Sequence, residues 1–162
     1  MPEIRTATAD EWREYRDIRL RALKAAPDAY GSTFAEESTH DESWWRARVA
    51  GAHNLVAWHD GVPVGTAVGI PDPHETGSRE IVAVWVEPDF RGRGLAQQLV
   101  LSLVQWATDA AAEAIALWVS DGNDAARRVY ERCGFTATGE RDIVRGGLWE
   151  QRMRRALITR IR

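Results

Sequence analysis

The sequence predicts a single α/β domain over residues 1–162, with a mixed, mostly antiparallel sheet of about six to seven strands flanked by about four helices. Three observations lead to this prediction. The length of 162 residues is that of one ordinary domain and is enough to bury most of the apolar surface. Two strand-like runs joined by Asp60-Gly61 predict an antiparallel hairpin. Further along, an apolar strand, a long helix and a second apolar strand follow in that order.

The first half of the chain is predicted to hold one strand, two helices and the hairpin. Thr8 and Glu11 have the spacing of a capping box, and Pro27 blocks continuation of the helix that follows. A run rich in serine and threonine around Gly31 favours a loop before the second, shorter helix. The predicted elements are a strand at 4–7, a helix from 8 to 25, a loop at 28–39, a helix at 41–50 and strands at 54–59 and 62–70.

The second half of the chain is predicted to hold the centre of the sheet. Residues 79–86 are apolar on both alternating faces, so this strand is expected to be central and covered on both sides. The helix that follows buries Leu95, Leu99, Leu103 and Trp106 on one stripe. The predicted elements are a strand at 79–86, a helix at 92–110, a strand at 114–120, a helix at 123–133 and two strands around Gly146-Gly147.

Composition excludes several classes of protein. Acidic and basic residues are mixed and the net charge is only −3, so nucleic acid is not expected as a partner. A single cysteine, Cys133, rules out an internal disulfide framework and fits a reducing, cytoplasmic setting; it is expected to be a buried small hydrophobe rather than a nucleophile. The four histidines lack ligand spacing, so no metal is expected. With no long apolar run near the N-terminus or elsewhere, neither export nor membrane insertion is expected.

The stretch "VWVEPDFRGRGLA" places two arginines and two glycines at the start of an apolar helix. Glycine lets a ligand approach the backbone, and the first turn of a helix offers unpaired N–H groups, so the turn is suited to a phosphate. Arg91 and Arg93 add charged donors. A P-loop is not matched, because no lysine followed by Ser or Thr comes after Gly94, and Gln97 stands where a dinucleotide fingerprint needs a small residue. A purely structural turn with surface arginines is the remaining alternative.

These residues resemble the acetyl-coenzyme A signature of the GCN5-related N-acetyltransferase (GNAT) superfamily, Arg/Gln-x-x-Gly-x-Gly/Ala, at Arg91, Gly94 and Ala96. Downstream, "NDAARRVYERCGF" resembles the second cofactor motif of the same superfamily, and the order of elements matches from residue 3 to residue 156. The resemblance implies a GNAT-like fold and acetyl-CoA as acyl donor. It also implies that the cofactor contacts Val84, Val86, Arg91, Gly92, Arg93, Gly94, Leu95, Ala96, Asn123 and Ala126.

The resemblance further implies transfer of an acetyl group to a primary amine by direct attack in a ternary complex. Asn123, Ala126 and Tyr130 lie on one face of a helix by their spacing, and Tyr130 would stand beside the thioester sulfur. Glu80, at the start of the central strand, matches the general base of one branch of the superfamily; the alternative is a solvated carboxylate paired with Arg79. Another base position used in the family appears here as Trp118, which accepts no proton.

The acceptor amine is the least specified part of the sequence-based prediction. Four carboxylates beside two tryptophans suggest an acidic, aromatic mouth for a cationic amine of a small molecule or peptide, and a solvated acidic helix start over two core tryptophans is the alternative. The residues of this predicted mouth are Glu36, Glu37, Asp41, Glu42, Trp44 and Trp45. Two other functions stay open: a non-catalytic acyl-CoA sensor or scaffold, and a transferase of a different acyl group. Glu87 is expected to have a surface role, and a homodimer through the C-terminal strands is an expectation from the family.

Overall fold

The computed structural model describes residues 2–27 and 32–157. Within these ranges seven strands form one sheet, in the order β1-β2-β3-β4-β5-β7-β6. Neighbouring strands are antiparallel except β4 and β5, which are parallel. The strands are β1 (Glu3–Thr6), β2 (His53–His59), β3 (Val62–Pro71), β4 (Arg79–Val86), β5 (Ala114–Ser120), β6 (Thr136–Ile143) and β7 (Trp149–Ala156). The predicted fold class is confirmed, and β4 is central as expected.

Five α-helices accompany the sheet in the described ranges, one more than the sequence predicts. They are α1 (Trp12–Ala25), α2 (Phe34–Glu37), α3 (Glu42–Ala50), α4 (Leu95–Asp109) and α5 (Asp124–Arg132). The additional helix, α2, lies in the segment predicted as a loop. The hydroxyl of Thr33 accepts the N–H of Glu36 at 3.1 Å, so a side-chain cap supports this single turn. The first part of that predicted loop, residues 28–31, lies outside the described ranges.

Helix α4 begins three residues later than predicted. Gly92 and Gly94 have φ values of +78° and +79°, which a right-handed helix does not allow. The glycines therefore form a turn, and regular helix starts only at Leu95. By contrast, the predicted hairpin turn is confirmed, because Asp60 and Gly61 have φ values of +51° and +78°, as a two-residue turn with both central residues left-handed requires.

The helices cover the two faces of the sheet unequally. On one face, α4 and α5 lie over the largest hydrophobic cluster, which includes Leu99, Leu103, Leu117 and Phe135. On the other face, α1 and α3 pack mainly on β3 and β2, around the fully buried Trp45. On this face of the sheet, α1 and α3 therefore leave most of β5, β7 and β6 uncovered by the described helices. No helix in the described part of the chain combines the length and apolar character needed to cross a bilayer.

Candidate active site

The parallel strands β4 and β5 separate partway along their length. Only three residue pairs join them, and the last is Ile81 with Leu117. Beyond that point the strands border a cleft of about 100 Å³ between the ends of β4 and β5 and helix α5. We call this space the splay cleft. Its lining residues are Ile81, Val82, Ala83, Val84, Leu117, Trp118, Val119, Ser120, Asn123, Ala126 and Tyr130.

A bulge in β4 marks where the strands part. Ala83 has a φ of +57°, in the left-handed region that L residues rarely adopt, and the register with β3 shifts across this position. Past the bulge, the N–H of Glu87 donates to Val64 on β3 at 2.8 Å. Because backbone groups alternate along a strand, the N–H and carbonyl of Val86 are directed to the β5 side, toward the cleft.

The glycine-rich turn closes the β4 end of this region. An added Cβ at Gly92 or Gly94 would meet no atom within 4 Å, so the space above both backbones is open. Gly94 is the N-cap of α4, whose first-turn N–H groups and positive dipole end therefore lie at an accessible surface. The turn and the helix start together have the properties of a phosphate site.

The two arginines of the turn differ in their local contacts. The Nε of Arg91 donates to the carbonyl of Val86 at 2.8 Å, which ties the turn to the end of β4. The guanidinium of Arg93 lies 5.0 Å from the ring centre of Phe90. Leu95 is 2% exposed and packs in the core, so only its backbone is available to a ligand, whereas Ala96 is half-buried. Arg91 therefore has an architectural contact in addition to the charge it brings to the turn.

Helix α5 supplies the third wall of the splay cleft. The side chain of Asn123 accepts the N–H of Ala126 at 3.2 Å, so Asn123 is the N-cap of the helix. Ala126 and Tyr130 lie farther along the same face, and Tyr130 is 8% exposed. The predicted row of amide, small residue and phenol is therefore present and faces the parted strands.

Glu80 precedes the bulge, on the part of β4 that pairs with β5, and its residue surface is 6% exposed. It is opposite Ala116 in the register, so it shares a sheet face with Trp118, two residues farther along β5. Trp118 lies beside the Glu80 carboxylate, and Oε1 of Glu80 has no hydrogen-bond partner among the described residues. Burial, with a contribution from Asp72, raises the pKa of Glu80. The paired, solvated carboxylate considered as the alternative is therefore wrong, since this side chain is buried beside Trp118.

Other polar residues surround Glu80 that the sequence analysis did not single out. The ring of His74 meets that of Trp118 edge to face, with centres 5.8 Å apart. Arg152 forms ion pairs with Asp72 and, at 3.7 Å, with Glu75. These residues come from the β3–β4 connection and from β7, and only the strand register brings them to Glu80.

The predicted acidic mouth on α2 and α3 is wrong. Glu37 is 3% exposed, and its carboxylate accepts from Nε and Nη2 of Arg19 at 3.0 and 2.9 Å and from Arg48 at 3.1 Å. Although burial opposes it, the two arginines lower the pKa of Glu37, so this carboxylate is charged and already neutralised. The remaining carboxylates accept from Thr33, from the N–H of Trp44 and from Arg46; they are Glu36, Asp41 and Glu42. Trp45 is core, and Trp44 stacks on His40 with ring centres 3.8 Å apart.

Two further expectations are confirmed. Glu87 forms an ion pair with Arg21 of α1 and serves a structural role away from the splay cleft. Cys133 is 1% exposed within the main core, and burial raises the pKa of its thiol, so it is a packed small side chain.

Comparison with known proteins identifies the family. The model of the Acetyltransferase (GNAT) family matches residues 11–135, which is most of the chain. The match includes the glycine-rich turn, both strands of the splay cleft and the whole of α5. This chain belongs to the GNAT acetyltransferase family.

Individual relatives agree with this assignment. An uncharacterised N-acetyltransferase of Methanocaldococcus jannaschii is 36% identical over 69 residues, which make up 43% of this chain and 29% of that protein. The L-amino acid N-acyltransferase MnaT of Escherichia coli is 30% identical over 101 residues, covering 60% of this chain and 59% of MnaT. The chain thus spans less than two thirds of the length of these curated relatives. The structure of yncA from Salmonella typhimurium with its cofactor acetyl-CoA superposes with a TM-score of 0.79 at 22% identity, over 100% of this chain and 97% of the other, which is a likeness of fold.

Proposed function

We propose that this protein is an acetyl-CoA-dependent N-acetyltransferase that moves an acetyl group from the thioester to a primary amine by direct attack in a ternary complex. One observation carries the proposal. The splay cleft is lined by Tyr130 and Trp118; the open glycine-rich helix start follows β4 at one end, and the buried carboxylate of Glu80 precedes the cleft on the same strand, on the sheet face of Trp118. Strand β4 thereby connects a phosphate-binding turn at its end with a buried carboxylate at its start, and the phenol lies at the cleft between them.

The residues present fit coenzyme A. Its pyrophosphate would be held by backbone N–H groups at Gly92, Gly94 and the first turn of α4, with Arg91 and Arg93 as charged donors. The exposed amide edge of β4 at Val84 and Val86 offers hydrogen bonds to the pantetheine arm, as a neighbouring strand would. Bound in this way, acetyl-CoA supplies an activated acyl group. An N–H near the bulge is suited to polarise its carbonyl.

Glu80 is proposed to remove the proton of the attacking amine. An alkylamine has a pKa of about 10.4, so presenting it neutral at pH 7 costs about 4.6 kcal/mol. A base removes more of this cost when its own pKa is raised toward neutrality, and burial raises the pKa of Glu80. Its Oε1 has no hydrogen-bond partner among the described residues, so one acceptor position of this carboxylate is unused.

Tyr130 is proposed to donate to the departing sulfur. The amine nitrogen bonds to the acetyl carbon, the carbon–sulfur bond breaks, and the thiolate takes a proton. A thiol has a pKa of about 8.5, so this proton transfer is a smaller demand than deprotonation of the amine. Tyr130 lines the splay cleft from α5, on the side where the sulfur would leave.

Thermal unfolding with added nucleotides tests the cofactor assignment. Acetyl-CoA and coenzyme A, at about 100 times their Kd, are expected to stabilise the protein by about 2.7 kcal/mol, or roughly 5–10 °C, whereas NAD and ATP are not. Gly94→Asp should abolish the shift, because it places a carboxylate where the phosphates bind. Gly139→Asp is the matched control, since Gly139 also has a positive φ and open surroundings but lies in β6.

A coenzyme-stabilised protein should then release thiol from acetyl-CoA when amines are supplied. Absence of any shift with both coenzyme A forms would remove the cofactor assignment. A shift without thiol release for any primary amine would instead indicate a binding protein without transferase activity.

A further inference from the structure

We propose that Asp72 and Arg152 act as a positioning pair for Glu80, holding one negative and one positive charge beside the carboxylate that takes the proton of the amine. This inference rests on the proposed function and adds to it the two residues that decide the pH at which the base is ready. Asp72 belongs to the connection between β3 and β4, and Arg152 belongs to β7.

Strand register places Asp72 on the sheet face of Glu80. Glu80 is opposite Ile70 in the ladder of β3 and β4, and the N–H of Asp72 continues this ladder by donating to the carbonyl of Ser78 at 3.0 Å. Asp72 is two residues beyond Ile70, so its side chain returns to the same face and is a diagonal neighbour of Glu80. The Cα atoms of such neighbours are about 7–8 Å apart, which is close enough for two charged side chains to act on each other.

The ion pair between Asp72 and Arg152 spans the middle of the sheet. Arg152 is opposite Trp118 in the ladder of β5 and β7, whereas Asp72 follows β3. Strands β4 and β5 lie between β3 and β7, so the two side chains meet across the strands that carry Glu80 and Trp118. Both charges are thereby held over the part of the sheet that bears the proposed base.

The burial of this ion pair gives it little value as a purely structural contact. The side chains of Asp72 and Arg152 are 0% and 4% exposed. A buried ion pair adds little stability relative to apolar residues of the same volume, because removing both charges from water opposes their attraction. A role in the electrostatics of the site accounts for a pair of charges in this position.

The charges around Glu80 agree with this geometry. Burial and then the negative charge of Asp72 raise the pKa of Glu80, while the positive charge of Arg152 opposes them. The charged and titratable groups that face Glu80 are Asp72 and His74 from the β3–β4 connection and Arg152 and Glu150 from β7. Asp72 and Arg152 therefore act on the base in opposite directions, and replacing each of them should have opposite effects.

Titration of Glu80 by NMR tests the proposal on the full chain without requiring activity. The protein is labelled with ¹³C at the carboxyl carbon of glutamate, and the resonance of Glu80 is assigned by its loss in Glu80→Gln. Asp72→Asn should lower the titration midpoint by about one pH unit, because a negative neighbour is removed, whereas Arg152→Gln should raise it by about one pH unit. Asparagine keeps an oxygen that can accept the N–H of His74, as Oδ1 of Asp72 does at 2.7 Å.

The acid limb of the pH profile of kcat/KM should follow the NMR midpoint in each variant. It should move to lower pH in Asp72→Asn and to higher pH in Arg152→Gln. Arg154→Gln is the matched control, because it removes an arginine from the same strand and face that is 36% exposed and pairs with Glu75 at 2.8 Å. This control should leave both readouts within about 0.3 pH unit of wild type.

The double variant Asp72→Asn with Arg152→Gln measures the arginine without leaving the buried carboxylate of Asp72 unpaired. Its midpoint should lie about one pH unit above that of Asp72→Asn alone. The proposal would be overturned if both single variants moved the midpoint in one direction, or if the double variant titrated like Asp72→Asn. An acid limb that stays fixed while the NMR midpoint moves would refute Glu80 as the base in the proposed function and would still support the action of the pair on Glu80.

Discussion

Replacing Glu80 by glutamine is expected to slow acetyl transfer by about a thousandfold at neutral pH, within the range of 10²–10⁴ typical of a general base. Glutamine keeps the size of the side chain, and it removes the charge that burial disfavours. Because Oε1 has no partner among the described residues, no internal hydrogen bond is lost there. The variant should therefore fold with near-normal stability and fail only in taking the proton.

The size of the defect is expected to depend on pH. Without a base only the neutral amine reacts, so the rate of the variant should rise about tenfold per pH unit until the amine pKa of about 10.4. The deficit of the variant should accordingly narrow to a few-fold near that pH. Wild-type activity should fall as the pH drops through the pKa of Glu80, because the base is then protonated. That pKa is raised by burial, so the acid limb should lie above that of an ordinary glutamate.

Thiol release from acetyl-CoA, measured as kcat/KM across this pH range, checks the prediction. Glu87→Gln serves as control, since Glu87 follows the same strand but pairs with Arg21 and should keep both the rate and the acid limb. A Glu80→Gln deficit that stays constant with pH, or one smaller than threefold at neutral pH, would refute the role of Glu80 as base.

Three other predictions address stability and the second proton transfer. Glu37→Gln should lower the free energy of unfolding by about 3 kcal/mol and the Tm by roughly 6–12 °C, because it breaks a buried pair with Arg19; a loss below about 1 kcal/mol would contradict this. Glu11, whose pKa Arg5 lowers to about 2, should contribute about 1 kcal/mol above pH 4.5 after allowance for solvent screening, and this should vanish as the pH falls to 2; equal stability of Glu11→Gln and wild type in neutral denaturant titrations would be inconsistent. Tyr130→Phe should reduce kcat by about tenfold to a thousandfold with little change in KM for acetyl-CoA, and an unchanged kcat in steady-state assays would exclude it as the acid.

Local sequence patterns predicted the elements of this fold well, because their signals are short-range. The hairpin turn at Asp60-Gly61 and the helix predicted at 123–133 depend on residues close to them in sequence, and both are confirmed. The start of α4 was misplaced because apolar periodicity continues into a turn whose glycines set a different backbone. The suitability of that turn for binding a phosphate could still be predicted from Gly92 and Gly94.

Features that depend on distant partners could not be predicted in this way. Glu37 looked like a surface carboxylate, but it is buried against Arg19, 18 residues away, and its burial is decided by how α1 and α2 pack. Likewise, the pairing of Asp72 with Arg152 follows from the order and register of β3, β4, β5 and β7, which a single strand sequence does not specify.

The short pairing of β4 with β5 has a mechanical consequence. Three residue pairs join a four-stranded part of the sheet, β1 to β4, to a three-stranded part formed by β5, β7 and β6. In the proposed complex, the pantetheine arm lies between these two parts and forms hydrogen bonds with β4 where β5 is not paired with it. The bound acyl donor would then oppose movement of one part of the sheet relative to the other. Binding of coenzyme A would make the sheet more rigid, and hydrogen exchange of the backbone amides next to the three residue pairs would measure this change.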